Sequence, residues 1–230
     1  MRLKPHLVVA ALLSAGPISG EEPTFETIFN GSDFSGWDFQ PGSWEIRDGE
    51  IHCTGQSESK NWLIYRAKEP ADFVLELEFK WEAGNSGVQV RSEDLGDWQV
   101  YGYQVEVARQ DVMGLWHHSL MPKDHPKKEA RHLMTTAGEV ATIDSAGKRS
   151  NVAFADAEET QAAYREGEWN LLRIEVKGEA LTQSINGVKF ATLIDQDEEM
   201  SRRSGLIALQ DHGKGCQVAF RNIRLQIISE

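Results

Sequence analysis

GNSGVQVRSEDLGDWQVYGYQVEV, residues 84–107, holds two runs of alternating apolar and polar side chains on either side of an acidic turn. Successive side chains of an extended strand point to opposite faces. Val88 and Val90 therefore share one side of the first run, and Gln89 and Arg91 the other. In the second run Tyr103, Val105 and Val107 share a face, while Gln104 and Glu106 take the opposite one. Each run reads as a strand with an apolar side for a core and a polar side of amide plus charge. If the two strands are neighbours, Arg91 and Glu106 fall on one face with Gln89 and Gln104 beside them. That face is either a solvated surface with a cross-strand ion pair or the floor of a binding site. Guanidinium, carboxylate and amide groups are the donors and acceptors that sugar hydroxyls need, and Trp98, Tyr101 and Trp116 are near in sequence to supply a ring.

The same alternation recurs outward from this stretch. In residues 72–81, Phe73, Leu75, Leu77, Phe79 and Trp81 share a face opposite Glu76, Glu78 and Lys80, the pattern of a half-buried antiparallel strand. Asp48-Gly49 and Asn186-Gly187 sit between strand-like runs and predict tight hairpins. Around Arg221-Asn222 the apolar set changes parity, which predicts a bulge. Residues 117–166 form a long excursion rich in His, Lys and Pro, with one short helix predicted near 156–164. Ordered excursions of this length often cover a site. The whole pattern predicts an all-β protein, a two-sheet antiparallel sandwich or jelly roll with one long excursion. No repeat at propeller-like spacing is present.

Arg2 and Lys4 followed by the apolar run Leu7–Gly16 resemble an export signal, so residues 1–20 are expected to be removed and residues 21–230 to form one exported domain, periplasmic or extracellular. Without Arg2 and Lys4 the chain has 22 Lys and Arg against 36 Asp and Glu, a net charge of −14. Such a surface repels nucleic acid and anionic lipid, so neither nucleic acid nor membrane is expected as a partner once the signal is gone. The two cysteines, Cys53 and Cys216, suit a disulfide in an oxidising compartment and equally suit two separate buried thiols.

His117, His118, His125 and His132 lie in the excursion, and His212 follows the apolar run GLIALQ. No HExxH, CxxC or GxSxG pattern occurs, so neither a metalloprotease centre nor a nucleophile elbow is indicated. The best general acid–base set is Glu106 and His212 with Arg91 as the electrophilic group.

Taken together, FETIFNGSDFSGWDF, WEIRDGEIHCTG, NWLIYRAKEPADFVLELEFKW, GNSGVQVR, GYQVEV, GEWNLLRIEVKG and RRSGLIALQDHGKGCQVAFRNIRL resemble the 3-keto-disaccharide hydrolase domain family, in order along nearly the whole chain after residue 24. The resemblance implies a concanavalin A-like sandwich and sugar chemistry. It places Arg91, Gln104, Glu106, Gln210 and His212 in the site; Gln89, on the same polar face, and Trp116, near in sequence, are further candidate sugar contacts read from the residues themselves. The paired carboxylates of retaining glucanases are not evident, because Glu106 is followed by Val107 and Ala108. A 3-keto sugar offers another route: a base, Glu106 or His212, takes the C2 proton, and Arg91 or a divalent cation holds the enolate oxygen while the C1 group leaves. A divalent cation is the one candidate cofactor, and the sequence makes none certain. The resemblance also implies a pathway link to a sugar 3-dehydrogenase that makes the keto substrate. The competing expectation is a non-catalytic carbohydrate-binding module.

Overall fold

The computed structural model describes residues 24–117 and 120–228. The expected signal segment and His118 lie outside them. In chain order the strands are β1 (Glu26–Thr27), β2 (Trp37–Asp38), β3 (Trp44–Arg47), β4 (Glu50–Cys53), β5 (Asn61–Tyr65), β6 (Phe73–Ala83), β7 (Ser86–Gly96), β8 (Gln99–Val107) and β9 (Leu115–His117). Then come α1 (Lys128–Arg131), β10 (Glu139–Ile143), β11 (Arg149–Ala153), α2 (Ala157–Gln161), β12 (Asn170–Lys177), β13 (Ala180–Ile185), β14 (Val188–Asp195), β15 (Leu206–Asp211) and β16 (Gln217–Ile227).

These strands build two stacked sheets. The larger runs β11-β10-β14-β13-β12-β6-β16-β4-β3, with β1 added beside β16; the smaller runs β2-β5-β15-β7-β8-β9. Phe73, Leu75, Leu77 and Phe79 from the larger sheet and Val88, Val90, Val105 and Val107 from the smaller belong to one fully buried core. Each such side chain contributes roughly 1.5–3 kcal/mol by leaving water. The predicted sandwich is therefore the fold. Both predicted hairpins form: Asp48 (φ 53°) with Gly49 (φ 81°), and Asn186 (φ 51°) with Gly187 (φ 82°), give the paired left-handed residues of a type I′ turn. The predicted bulge forms as well, since pairing steps from Arg221 opposite Glu78 to Arg224 opposite Glu76.

The excursion is more ordered than its sequence suggests. Its helix α2 is present and is capped by Asp156, whose side chain accepts from the Glu159 amide. The excursion also contributes α1 and the β10–β11 hairpin, and β10 lies parallel to β14 at one end of the larger sheet. Ala141 and Ile143 alone anchor β10 in the core, too few apolar positions to mark a strand by alternation. Leu120 packs on a second, smaller cluster of Trp62, Ile64, Val100, Leu206 and Ala208. The smaller sheet is thus covered on its outer face, where a two-layer sandwich would leave it wet. Among the described residues no helix is long and apolar enough to cross a membrane.

Candidate active site

Strands β7 and β8 pair as the opening alternation requires, with Gln89 opposite Gln104 and Gly87 opposite Glu106. Glycine at 87 is a packing necessity, because a Cβ there would lie 2.7 Å from the Gln104 side chain. Strand β9 then places Trp116 opposite Gln104 on the other side of β8. On the opposite flank, β15 brings Gln210 to its end, followed by Asp211 and His212.

A cavity of about 270 Å³ opens on this face. One wall belongs to the smaller sheet and its ends: Lys60, Asn85, Gln104, Glu106, Gln210 and His212. The other belongs to β9 and the excursion: Trp116, His117, Met121, Lys128, Arg131 and His132. Five predicted site residues, Glu106, His212, Gln104, Gln210 and Trp116, therefore meet around one space.

Two predicted site residues do not line it. Arg91 has φ 48°, and the register slips there, from Val90 opposite Tyr103 to Glu93 opposite Tyr101. The bulge rotates Arg91 off the polar face. Its guanidinium instead donates to the carbonyls of Ala71 (2.9 Å), Gly178 (2.7 Å) and Arg202 (3.1 Å) and to Asp72 Oδ1 (2.9 Å). Arg91 thus clamps loops and does not line the cavity. Gln89 is on the expected face but sits behind Gln104 and does not line the cavity. Ser92 Oγ donates to Gln89 Oε1 (3.0 Å), Gln89 Nε2 to Gln104 Oε1 (3.0 Å), and Gln104 Nε2 to both Glu106 Oε2 (2.6 Å) and Gln210 Oε1 (3.1 Å).

Glu106 also accepts from Asn85 Nδ2. Burial pushes its carboxyl up to about 7, against the opposing pull of the Asn85 and Gln104 hydrogen bonds and the charge of Lys60. It is the single carboxylate among the described residues lining the cavity. Lys60 is held below its ordinary value by burial, with Glu106 pulling the other way. His212 is held low by burial and by Lys60, which favours the neutral imidazole. Burial, Lys128 and Arg149 do the same to His132.

Sequence reasoning missed Lys60, Asn85, Lys128 and Arg131. Arg131 is fully buried and donates to Asp195 Oδ1 (3.0 Å) and Asp197 Oδ2 (3.0 Å), with a further bond to Asp195 Oδ2. Tyr103 donates to Asp195 Oδ2 as well (2.6 Å). This network ties α1 to the end of β14 and so fixes the excursion wall. Asp195 and Asp197 lie 64 residues or more from Arg131, and no local pattern announces the pairing.

His117, His132, His212 and Glu106 do not converge on a common point. The group of three His, Cys, Asp or Glu donor atoms within 4.8 Å of one another among the described residues is Cys53, Asp211 and Cys216, outside this cavity.

A family model described as the 3-keto-alpha-glucoside-1,2-lyase-like domain matches residues 24–226. Two Parabacteroides distasonis ATCC 8503 structures, both described provisionally as glycosyl hydrolases, share the fold. The first is 20% identical at TM-score 0.59, over 89% of this chain and 100% of that one. The second is 18% identical at TM-score 0.56, over 89% and 94%. Carbohydrate-binding module CBM66 from Bacillus subtilis is 13% identical at TM-score 0.52, over 83% and 95%. No curated protein matches the sequence.

Proposed function

We propose that this chain, which belongs to the 3-keto-alpha-glucoside-1,2-lyase-like family, cleaves the glycosidic bond of 3-keto glycosides by elimination followed by addition of water. The observation that carries this reading is that Glu106 is the single carboxylate among the described residues lining the cavity. Direct glycoside hydrolysis through two carboxylates needs a second one about 5–9.5 Å away. Glu106 has no such partner among the described residues of the cavity. Elimination needs a single base with a pKa near the working pH, and Glu106, pushed up to about 7, meets that requirement.

In this scheme Glu106 takes the proton from C2. The C2–H electron pair forms the C2–C3 double bond of an enolate, and the ketone oxygen becomes the oxyanion. The enolate then expels the C1 oxygen, which takes up a proton, and the carbon–carbon double bond moves to C1–C2. Water adds across it to complete a net hydrolysis. The oxyanion lies one carbon from the base, so its stabilising cation must stand beside Glu106. Lys60, whose charge acts on Glu106, fits that role in place of Arg91. His212, kept neutral, offers its ring N–H to the leaving oxygen. The ring of Trp116 gives the sugar an apolar face to lie on.

The same reading makes the protein exported, cleaved near Gly20, and dependent on a sugar 3-dehydrogenase for its substrate. A second reading, a carbohydrate-binding module without turnover, draws on the fold shared with CBM66. One assay separates them. Purified protein is incubated with 3-keto-trehalose, 3-keto-lactose and the unoxidised sugars. Monosaccharide release from the keto forms alone, lost in Glu106→Gln, is the expected result. Saturable glycan binding without release would move the protein to the second reading, and cleavage of the plain sugars would overturn the elimination mechanism.

A further inference from the structure

We propose that Cys53, Asp211 and Cys216 form a structural site for a thiophilic divalent metal ion of the zinc class. This inference stands apart from the reaction proposed above. The three residues come from different elements: Cys53 ends β4, Asp211 ends β15, and Cys216 directly precedes β16. One donor atom from each lies within 4.8 Å of the other two, and all three residues are buried. Ligands about 2.0–2.3 Å from a tetrahedral ion stand roughly 3.3–3.8 Å apart. Donor atoms within 4.8 Å of one another would therefore draw together by up to about 1 Å to close on an ion.

Asp211 carries the second part of the argument. It is completely buried, yet forms no ion pair with Lys, Arg or His among the described residues. Its Oδ2 accepts from Ser57 Oγ (2.5 Å) and Asn61 Nδ2 (3.3 Å), and its Oδ1 from the Gly213 amide (2.9 Å). A carboxylate has about four acceptor positions, so one remains for a further partner. Asn61 is itself held by Trp44 Nε1 (3.0 Å). A ligating carboxylate oriented by outer hydrogen bonds is the usual arrangement around a protein-bound metal.

Each thiol donates one weak hydrogen bond to a backbone carbonyl, which it would give up on ligating as thiolate. Cys53 Sγ stands 4.0 Å from the Gln210 carbonyl, and Cys216 Sγ 3.4 Å from the Asn85 carbonyl. The backbone that carries Cys216 is pinned, because Gly84 packs so closely that a Cβ there would lie 2.8 Å from the Cys216 Cα. On binding, each thiol releases one proton and ligates as thiolate. Two thiolates and a carboxylate with a divalent ion leave one net negative charge, the same as the metal-free cluster. Two sulfurs select zinc-class ions over magnesium or calcium. The ion would staple β4 and the start of β16, in the larger sheet, to β15 in the smaller. It would also steady Asn85, Gln210 and His212, which adjoin the cluster and line the cavity.

The test uses the purified full chain. Elemental analysis after desalting is expected to give about one zinc per chain. Reduced, metal-stripped protein titrated with Co²⁺ is expected to develop a thiolate-to-cobalt charge-transfer band. Cys216→Ser should abolish that band, and Asp211→Asn should weaken cobalt affinity at least about tenfold. The wild-type titration needs no variant to fold. An intact mass 2 Da low that is restored by reductant, reporting a Cys53–Cys216 disulfide, overturns the proposal. So does reduced protein that takes up neither ion, or a band that survives in folded Cys216→Ser.

Discussion

Gln104 donates a 2.6 Å hydrogen bond to Glu106, its neighbour two positions along the same strand face, and receives one of 3.0 Å from Gln89 on the adjacent strand. The amide of Gln104 can orient its N–H toward the carboxylate only while Gln89 occupies its oxygen. Gln89→Leu removes that constraint without touching the cavity. The expected result is a fall in kcat of about tenfold with KM changed less than twofold. The bond from Gln104 lowers the Glu106 pKa, so the acid limb of the rate profile should also move to higher pH. An unchanged profile would remove Gln89 from any positioning role.

Glu106 links activity to stability with opposite signs. As a base it works when ionised, so kcat/KM should rise with pH and level off above about 7. Its folded pKa lies above its ordinary 4.5, so the folded state holds the proton longer than the unfolded state does. Its contribution to stability is therefore greatest at low pH and is lost as pH rises from 4.5 through about 7. Glu106→Gln cannot ionise. Between pH 5 and 8 its stability relative to wild type should improve by about 2.5 kcal/mol, read from urea denaturation at the two pH values.

Lys60→Met should lower kcat on a 3-keto glycoside by about 100- to 1,000-fold, the usual cost of removing one oxyanion donor. Removing its charge should also raise the Glu106 pKa and shift the acid limb upward. A shifted limb with undiminished plateau rate would keep Lys60 as a neighbour of the base and deny it the oxyanion role.

Arg131→Met leaves Asp195 buried with no cation and Asp197 with Lys127 alone. Breaking a buried pair from one side costs about 3–5 kcal/mol. For a domain of this size the melting temperature should fall by roughly 6–20 °C. A fall of less than a few degrees in thermal denaturation would mean the excursion wall is held by other contacts.

Arg91→Met is the control for the bulge. It leaves three backbone carbonyls without the guanidinium and Asp72 with only the Gly178 amide, and should cost more than about 2 kcal/mol in stability. In the fraction that remains folded, kcat/KM should stay within about threefold of wild type. A loss of several hundredfold would return Arg91 to the chemistry.

Most of the sandwich could be read from the sequence because its information is local. Alternation in residues 72–81 and 84–107 and the Asp-Gly and Asn-Gly turns each need only a few neighbouring residues to declare themselves. The sheet wall of the site was readable for the same reason: Gln104 and Glu106 are two apart on a regular strand. Arg91 failed where regularity failed. One extra residue in a strand inverts every later side chain, and no residue type in VQVRSED marks the insertion. Lys60, Asn85 and Arg131 were hidden for another reason. They come from a loop, a strand junction and a four-residue helix that only the assembled fold brings together.

The two walls of the cavity differ in how they are built. Glu106, Gln104 and Gln210 sit in ladders shared with four other strands, where a one-residue insertion would disrupt the core. Trp116 comes from β9, and Met121, Lys128 and His132 from the excursion that Arg131 ties to Asp195 and Asp197. If the proposed reaction holds, substitutions at Met121, Lys128 and His132 should change which sugar is accepted more than they change proton transfer at Glu106. A library confined to those excursion positions would test whether recognition and chemistry are housed in separate walls of the cavity.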